Sequence, residues 1–247
     1  MKANASKFQA IFLSRENVSI DFEIDNQKIQ SESVVKLLGI NIDNTLNFDC
    51  HVSIISRKAA KQINALQRLC KHIDYTSKLR IYESFISSNF VYCTVVYNTF
   101  TIGQNKKLEK LNERAIRLVC NDYDSRYNHL LERTCKKMLY VTRKTSLAEF
   151  VYKVLHDMAK PITSSFFTWQ ITPYEMRDNL KLVKPVYNTM QYGFRSIIYQ
   201  GALIWNSLPV ELIKVDELAK FKDLLRLCNS LERCNRGTFI ICQQNNL

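Results

Sequence analysis

Carboxylates, cysteines and histidines are the side chains from which this sequence could assemble an acid–base or metal site. Asp21, Glu23 and Asp25 alternate with apolar residues, so on a strand they share one face with neighbours about 7 Å apart. Such a row could hold a cation, but the solvated outer face of a half-buried sheet has the same pattern, and that is the expected reading. Asp122 and Asp124 flank Tyr123 just past a helical pattern and are expected to form a helix-ending turn. No Asp-Asp pair occurs in the sequence. Cysteines stand at 50, 70, 93, 120, 135, 228, 234 and 242 with no C-x-x-C pair, and the 228, 234, 242 spacing suits neither a zinc ribbon nor a knuckle. His51, His72, His129 and His156 do not complete such a set, so no metal site is expected. A Gly-rich phosphate loop and a G-x-S-x-G elbow are both absent.

Cations carry more information. The formal net charge is +12, and residues 49–120 alone hold twelve basic and five acidic side chains. That surplus favours polyanionic partners, nucleic acid first. At about 100° per helical residue, Arg57, Lys61, Arg68 and Lys71 fall within an arc of roughly 80°, opposite the apolar stripe. An ordinary solvated helix face would look the same. Arg114 and Arg117, with Lys106, Lys107 and Lys110, extend the basic surface.

These residues must be positioned by a mainly helical scaffold. Phe8 to Leu13 reads as a buried strand; Val18, Ile20, Phe22 and Ile24 give a period of two; Val34 to Ile42 is another apolar, β-branched run, broken by Gly39, which marks a bulge or a close backbone approach. From residue 49 the period becomes helical, with Val52, Ile55, Ala59, Ile63, Leu66, Cys70 and Ile73 on one face and Asn47 or Asp49 as cap. A second helix follows a Thr76-Ser77 cap and buries Leu79, Tyr82, Ile86, Phe90, Cys93 and Tyr97. A third carries Leu108, Leu111, Ala115, Leu118 and Val119, and a fourth covers roughly 137–158. Pro161, Pro173 and the intervening Thr-Ser-Ser cluster mark a linker near 161–195. Short helices are expected over 196–206, ended by Pro209, and over about 216–231. The fold class is therefore α+β: a small N-terminal antiparallel β element, a helical domain over 49–125 and a helical region over 126–247. The longest apolar run, residues 90–97, is too short to cross a bilayer, so no membrane partner is expected, and Met1 to Ile11 has no long apolar core or cleavage site, so no signal peptide is expected. The cysteines read as reduced, placing the chain in the cytoplasm or nucleus.

Four stretches resemble the last third of non-LTR, jockey-like retrotransposon reverse transcriptases. Asn4-Ala5-Ser6-Lys7 before Phe8 to Leu13 is similar to the N-x-x-K strand after the catalytic palm motif. Leu37-Leu38-Gly39-Ile40 through Leu46-Asn47-Phe48 to His51-Val52 resembles the family's "LG…id…l-x-f-x-x-hi" stretch. Arg114-Ala115-Ile116-Arg117 resembles its "ra-x-R" helix, and Tyr199 to Pro209, with Trp205-Asn206 inside it, its "lWN-x-LP" signature. The resemblance covers nearly the whole chain, with Arg177-Asp178-Asn179 and Pro185 falling in an R-x-x…P segment.

The resemblance implies that residues 1–48 end a palm with its primer-grip hairpin, that 49–125 form a thumb and that 126–247 form a C-terminal helical region. It implies RNA or an RNA–DNA hybrid as a weak partner, with no small-molecule ligand. Lys7 would match a lysine that protonates pyrophosphate. The intact enzyme would use magnesium on palm aspartates, but this sequence lacks the Asp-Asp pair, so no cofactor is expected here and the chain reads as a fragment or truncated copy. The alternative is a helical remnant or protein-interaction scaffold with no nucleic-acid role. Purified chain is expected to incorporate no nucleotide on a primed RNA template; magnesium-dependent incorporation would refute this.

Overall fold

The computed structural model describes residues 8–13, 21–24, 27–96, 100–170 and 180–228. Residues 4–7 with Lys7, Val18, Ile20, Asp25, Tyr97, residues 177–179, Cys234 and Cys242 lie outside them. Architecture is α+β, two antiparallel hairpins preceding the helices. The chain divides into two compact units, residues 1–90 with 100–125 and residues 91–99 with 126–247.

In the first unit β1 (Asp21–Ile24) pairs with β2 (Gln27–Gln30), Ile24 opposite Gln27. The segment expected as a buried strand before them is not one. Ala10 makes a single parallel bridge to Ser31, while Phe8, Phe12 and Leu13 are exposed. β-propensity measures fit to a pleated, half-buried surface, and this segment leaves Phe8, Phe12 and Leu13 outside one. The second hairpin, β3 (Val34–Leu37) and β4 (Ile40–Asp43), divides the apolar run over 34–42 at Gly39, with a turn where a bulge or a close backbone approach is expected. Leu38 and Gly39 form its two-residue turn with φ of 47° and 87°. Two positive φ values match the right-handed twist of a hairpin, and glycine adopts one without strain.

Helix α1 (Asp49–Leu69) buries Val52, Ile55, Ala59, Ile63 and Leu66. It stops before Cys70, so Lys71 and Ile73 lie in the following turn, not on the helix. Asp74, not Thr76-Ser77, caps α2 (Tyr75–Ile81), accepting from the Thr76 N–H at 3.1 Å. The chain continues through a π turn (Tyr82–Ser87) into α3 (Ser88–Val91). Tyr82, Ile86 and Phe90 recur every four residues and are all buried. A four-residue repeat drifts round an α-helix, and the wider π turn offsets that drift. The expected apolar face does not reach Cys93, which is exposed. Helix α4 (Ile102–Cys120) starts with a Thr101/Gln104 capping box and buries Leu108, Ala115, Ile116 and Val119 against this core. The Tyr82 hydroxyl donates to Asn112 Oδ1 at 2.7 Å, and burial pushes its pKa up to about 12.

In the second unit α5 (Tyr127–Arg133) precedes α6 (Leu139–Leu155), which packs Leu147, Ala148, Val151 and Tyr152 into a core with α7 (Ile197–Trp205) and α9 (Leu218–Leu227). Tyr152 stacks on Phe221 at 4.3 Å between centroids. The linker expected near 161–195 is partly core. Pro161–Phe166 forms a 3₁₀ turn, and Phe167 and Leu182 are buried. Prolines removed the helical periodicity without removing the apolar side chains. A helix stands near 196–206 as the sequence indicates: Ser196 caps α7, its Oγ accepting from the Tyr199 N–H at 3.1 Å, and Pro209 leads into α8 (Val210–Ile213). A Cβ on Gly201 would stand 2.7 Å from the Phe167 ring, so only glycine allows that approach.

Trp205 and Asn206 bind main chain. Trp205 Nε1 donates to the Leu180 carbonyl at 3.3 Å. Asn206 Oδ1 accepts from the Leu182 N–H at 2.8 Å, and its Nδ2 donates to the Leu182 carbonyl at 2.9 Å. Asn206→Ala strands both main-chain groups of a buried residue and should destabilise the chain by about 2–4 kcal/mol in urea denaturation. A loss below about 1 kcal/mol would show that water replaces both bonds.

Candidate nucleic-acid interface

The basic surface is set by how α1 enters the first unit. Asp43 at the end of β4 is buried, and its carboxylate accepts from Thr45 Oγ1 at 2.7 Å, the Asn47 N–H at 2.8 Å and the Phe48 N–H at 2.5 Å. It therefore takes the part expected of Asn47 or Asp49, because the helix-entry residue Phe48 has no capping side chain. Gln104 Nε2 donates to the Asn47 carbonyl at 2.8 Å and to Asp49 Oδ1 at 2.6 Å, fixing the start of α4 against the start of α1.

With the apolar stripes of α1 and α4 facing each other, the cations face out. Arg57, Lys61, Arg68 and Lys71 are all exposed, and none of their side chains has a hydrogen bond or ion pair among the described residues. Lys71 joins them from the turn after α1. Lys106, Lys107 and Lys110 on α4 are likewise exposed. Arg114 reaches across the helix pair, donating to Asn64 Oδ1 at 2.8 Å and Gln67 Oε1 at 3.2 Å. Asn64 lies about 20° from Arg57 on the α1 wheel, so Arg114 brings the α4 cations onto the α1 face. Asn64 and Gln67 were not singled out from sequence, because uncharged polar side chains on a helix give no periodic signal.

Arg117 differs. It pairs with Glu113 at 2.7 Å and donates to the carbonyls of Tyr123 at 2.8 Å and Ser125 at 3.0 Å. Its guanidinium is committed to holding the loop after α4 and not presented to solvent as a phosphate ligand. Asp122 completes that loop, accepting from the Ser125 N–H at 3.0 Å and Oγ at 2.8 Å.

The other motif residues stand elsewhere. Leu38 and Gly39 are the exposed tip of the second hairpin, and Trp205, Asn206 and Pro209 are structural in the second unit. Asp21 and Glu23 are exposed on β1. Among the described residues no three His, Cys, Asp or Glu side chains group around a common point, and no helix is long and apolar enough to cross a membrane.

The chain matches no protein-family model, no curated protein and no solved structure. The character of the surface therefore rests on its geometry and on the four sequence stretches.

His51 in the first turn of α1 is buried, and its Nδ1 accepts from the Asn41 N–H at 3.4 Å. Burial lowers its pKa below the ordinary 6.5. The folded imidazole thus takes a proton less readily than the unfolded one. Its contribution to stability is complete above pH 6.5 and is lost as the pH falls below that value. Unfolding free energy should drop as the pH falls below 6.5, with a His51 slope of at most about 1.4 kcal/mol per pH unit. His51→Gln should flatten that fall; an identical pH profile in the variant would refute the assignment.

Proposed function

We propose that this chain is the thumb and C-terminal helical part of a non-LTR retrotransposon reverse transcriptase, and that the α1–α4 face of its first unit holds nucleic-acid backbone without reading sequence. The observation that carries the reading is the group of exposed cations with no acidic partner among the described residues. Evenly solvated helix faces mix both signs to form i,i+4 pairs, whereas the centre of this face holds cations alone. From Arg57 to Arg68 the helix rises about 16 Å, which at about 3.4 Å per nucleotide matches roughly five phosphates along one strand. The four sequence stretches, in family order, supply the parent.

Polymerisation in that family needs magnesium on clustered carboxylates. The described carboxylates do not fit it. Asp43, buried and next to the candidate motif, is consumed by three hydrogen bonds, and Asp21 and Glu23 are exposed on a two-stranded hairpin. No catalytic step is assigned to this chain; its role is to grip a duplex.

Fluorescence anisotropy of a labelled RNA–DNA hybrid at several salt concentrations tests the reading. Replacing Arg57, Lys61, Arg68 and Lys71 together with Gln should reduce the salt slope of log K by roughly 3 to 4, about one for each phosphate no longer neutralised. Folding should change by less than about 1 kcal/mol, since exposed charges contribute little to stability. An unchanged slope would show a face that is only solvated.

A further inference from the structure

Beyond its phosphate-binding face, the first unit carries a feature that a backbone grip does not use. A shallow depression of about 220 Å³ lies beside α4, floored by Leu118 and edged by Gln67, Lys110, Arg114 and the ring of Tyr123. Tyr123 is 60% exposed, and its side chain has no partner among the described residues. Its loop is nevertheless fixed. Arg117 donates to the carbonyls of Tyr123 and Ser125, and Asp122 accepts from the Asp124 and Ser125 N–H groups at 3.3 and 3.0 Å. An aromatic ring held in water by a clamped loop is prepared for a flat ligand, because little ordering entropy remains to be lost on binding.

The surroundings select the ligand. Glu113, the carboxylate that lines the depression, is neutralised by Arg117 at 2.7 Å. Lys110 and Arg114 then leave the rim positive, and both belong to the α4 edge of the cation face. A planar, uncharged ring attached to phosphate satisfies the apolar floor, the exposed aromatic and the cationic rim together. We propose that the depression takes an unpaired nucleobase from a single-stranded segment leaving the duplex on the α1–α4 face, with Tyr123 as its stacking surface and Lys110 and Arg114 against the flanking phosphates. Arg117 is then a positioning residue for Tyr123.

The inference rests on the nucleic-acid reading above, and the test separates the two. Anisotropy is measured with a blunt RNA–DNA hybrid, the same hybrid carrying a four-nucleotide single-stranded overhang, and the same overhang built from abasic sugars. The native chain should bind the overhang roughly tenfold more tightly than the abasic form, the scale of one base stacked on an aromatic ring. Tyr123→Ala should abolish that preference and leave the blunt hybrid unchanged; Tyr123→Phe should keep it. A 2-aminopurine in the overhang should be quenched by the native and Tyr123→Phe chains and not by Tyr123→Ala. Salt-dependent binding of the blunt hybrid with no preference for bases over abasic sugars, or equal weakening of all probes by Tyr123→Ala, overturns the stacking site alone. Absence of binding to any probe overturns both readings.

Discussion

The carboxylate of Asp43 is where sheet and helix are joined. It accepts two backbone N–H groups and a hydroxyl over the five residues that turn β4 into α1. Within that turn Leu46 and Phe48 both have positive φ, 55° and 59°. L-residues enter that region at a cost of about 1–2 kcal/mol each, so the turn needs compensation, and charge-assisted bonds from a buried carboxylate provide it. Gln104 binds the same turn from α4. The hairpin, α1 and α4 thus share one polar junction, and the direction in which α1 leaves it determines which surface meets α4.

From that direction the rest of the first unit follows by burial. Ala59 and Ala115, both fully buried on facing helices, leave room for the larger Ile63, Leu66, Leu108 and Ile116. Each such aliphatic side chain contributes roughly 1.5–3 kcal/mol on leaving water. That is far more than the mutual repulsion of screened surface cations in salt. The apolar stripe therefore dictates helix rotation, and the cations accept the position it leaves them.

What could be read from sequence follows the same hierarchy. The change of period at residue 49, the stripes of α1 and α4, the short helix after residue 196 and the α+β class were all legible, because each is a repeated or local signal. Four features were not. The Asp43 cap acts across five residues from inside a strand. The turn at Leu38-Gly39 needs a leucine at positive φ, which no propensity suggests. The π turn at Tyr82 shows only as a repeat of four instead of 3.6. The contribution of Phe167 and Leu182 to a core is hidden in a segment whose prolines read as a linker. At the candidate interface the outward cations were legible by spacing. The different fates of Arg114 and Arg117 were not, since three residues of separation decide whether a guanidinium lies over α1 or under the loop that follows.

Trp205 and Asn206 direct their polar atoms at the main chain of residues 180–182, not at side chains. A main-chain carbonyl is the same whatever residue occupies it, and a main-chain N–H is lost only to proline. Substitution at Leu180 or Lys181 leaves those bonds in place, and Leu182 is constrained by its volume and by the N–H that proline lacks. Across descendants of one ancestral sequence the Trp-Asn pair would stay fixed while the segment it holds drifted freely, with no compensating change at a second site. A short invariant signature embedded in otherwise unrelated sequence is the trace such an arrangement leaves.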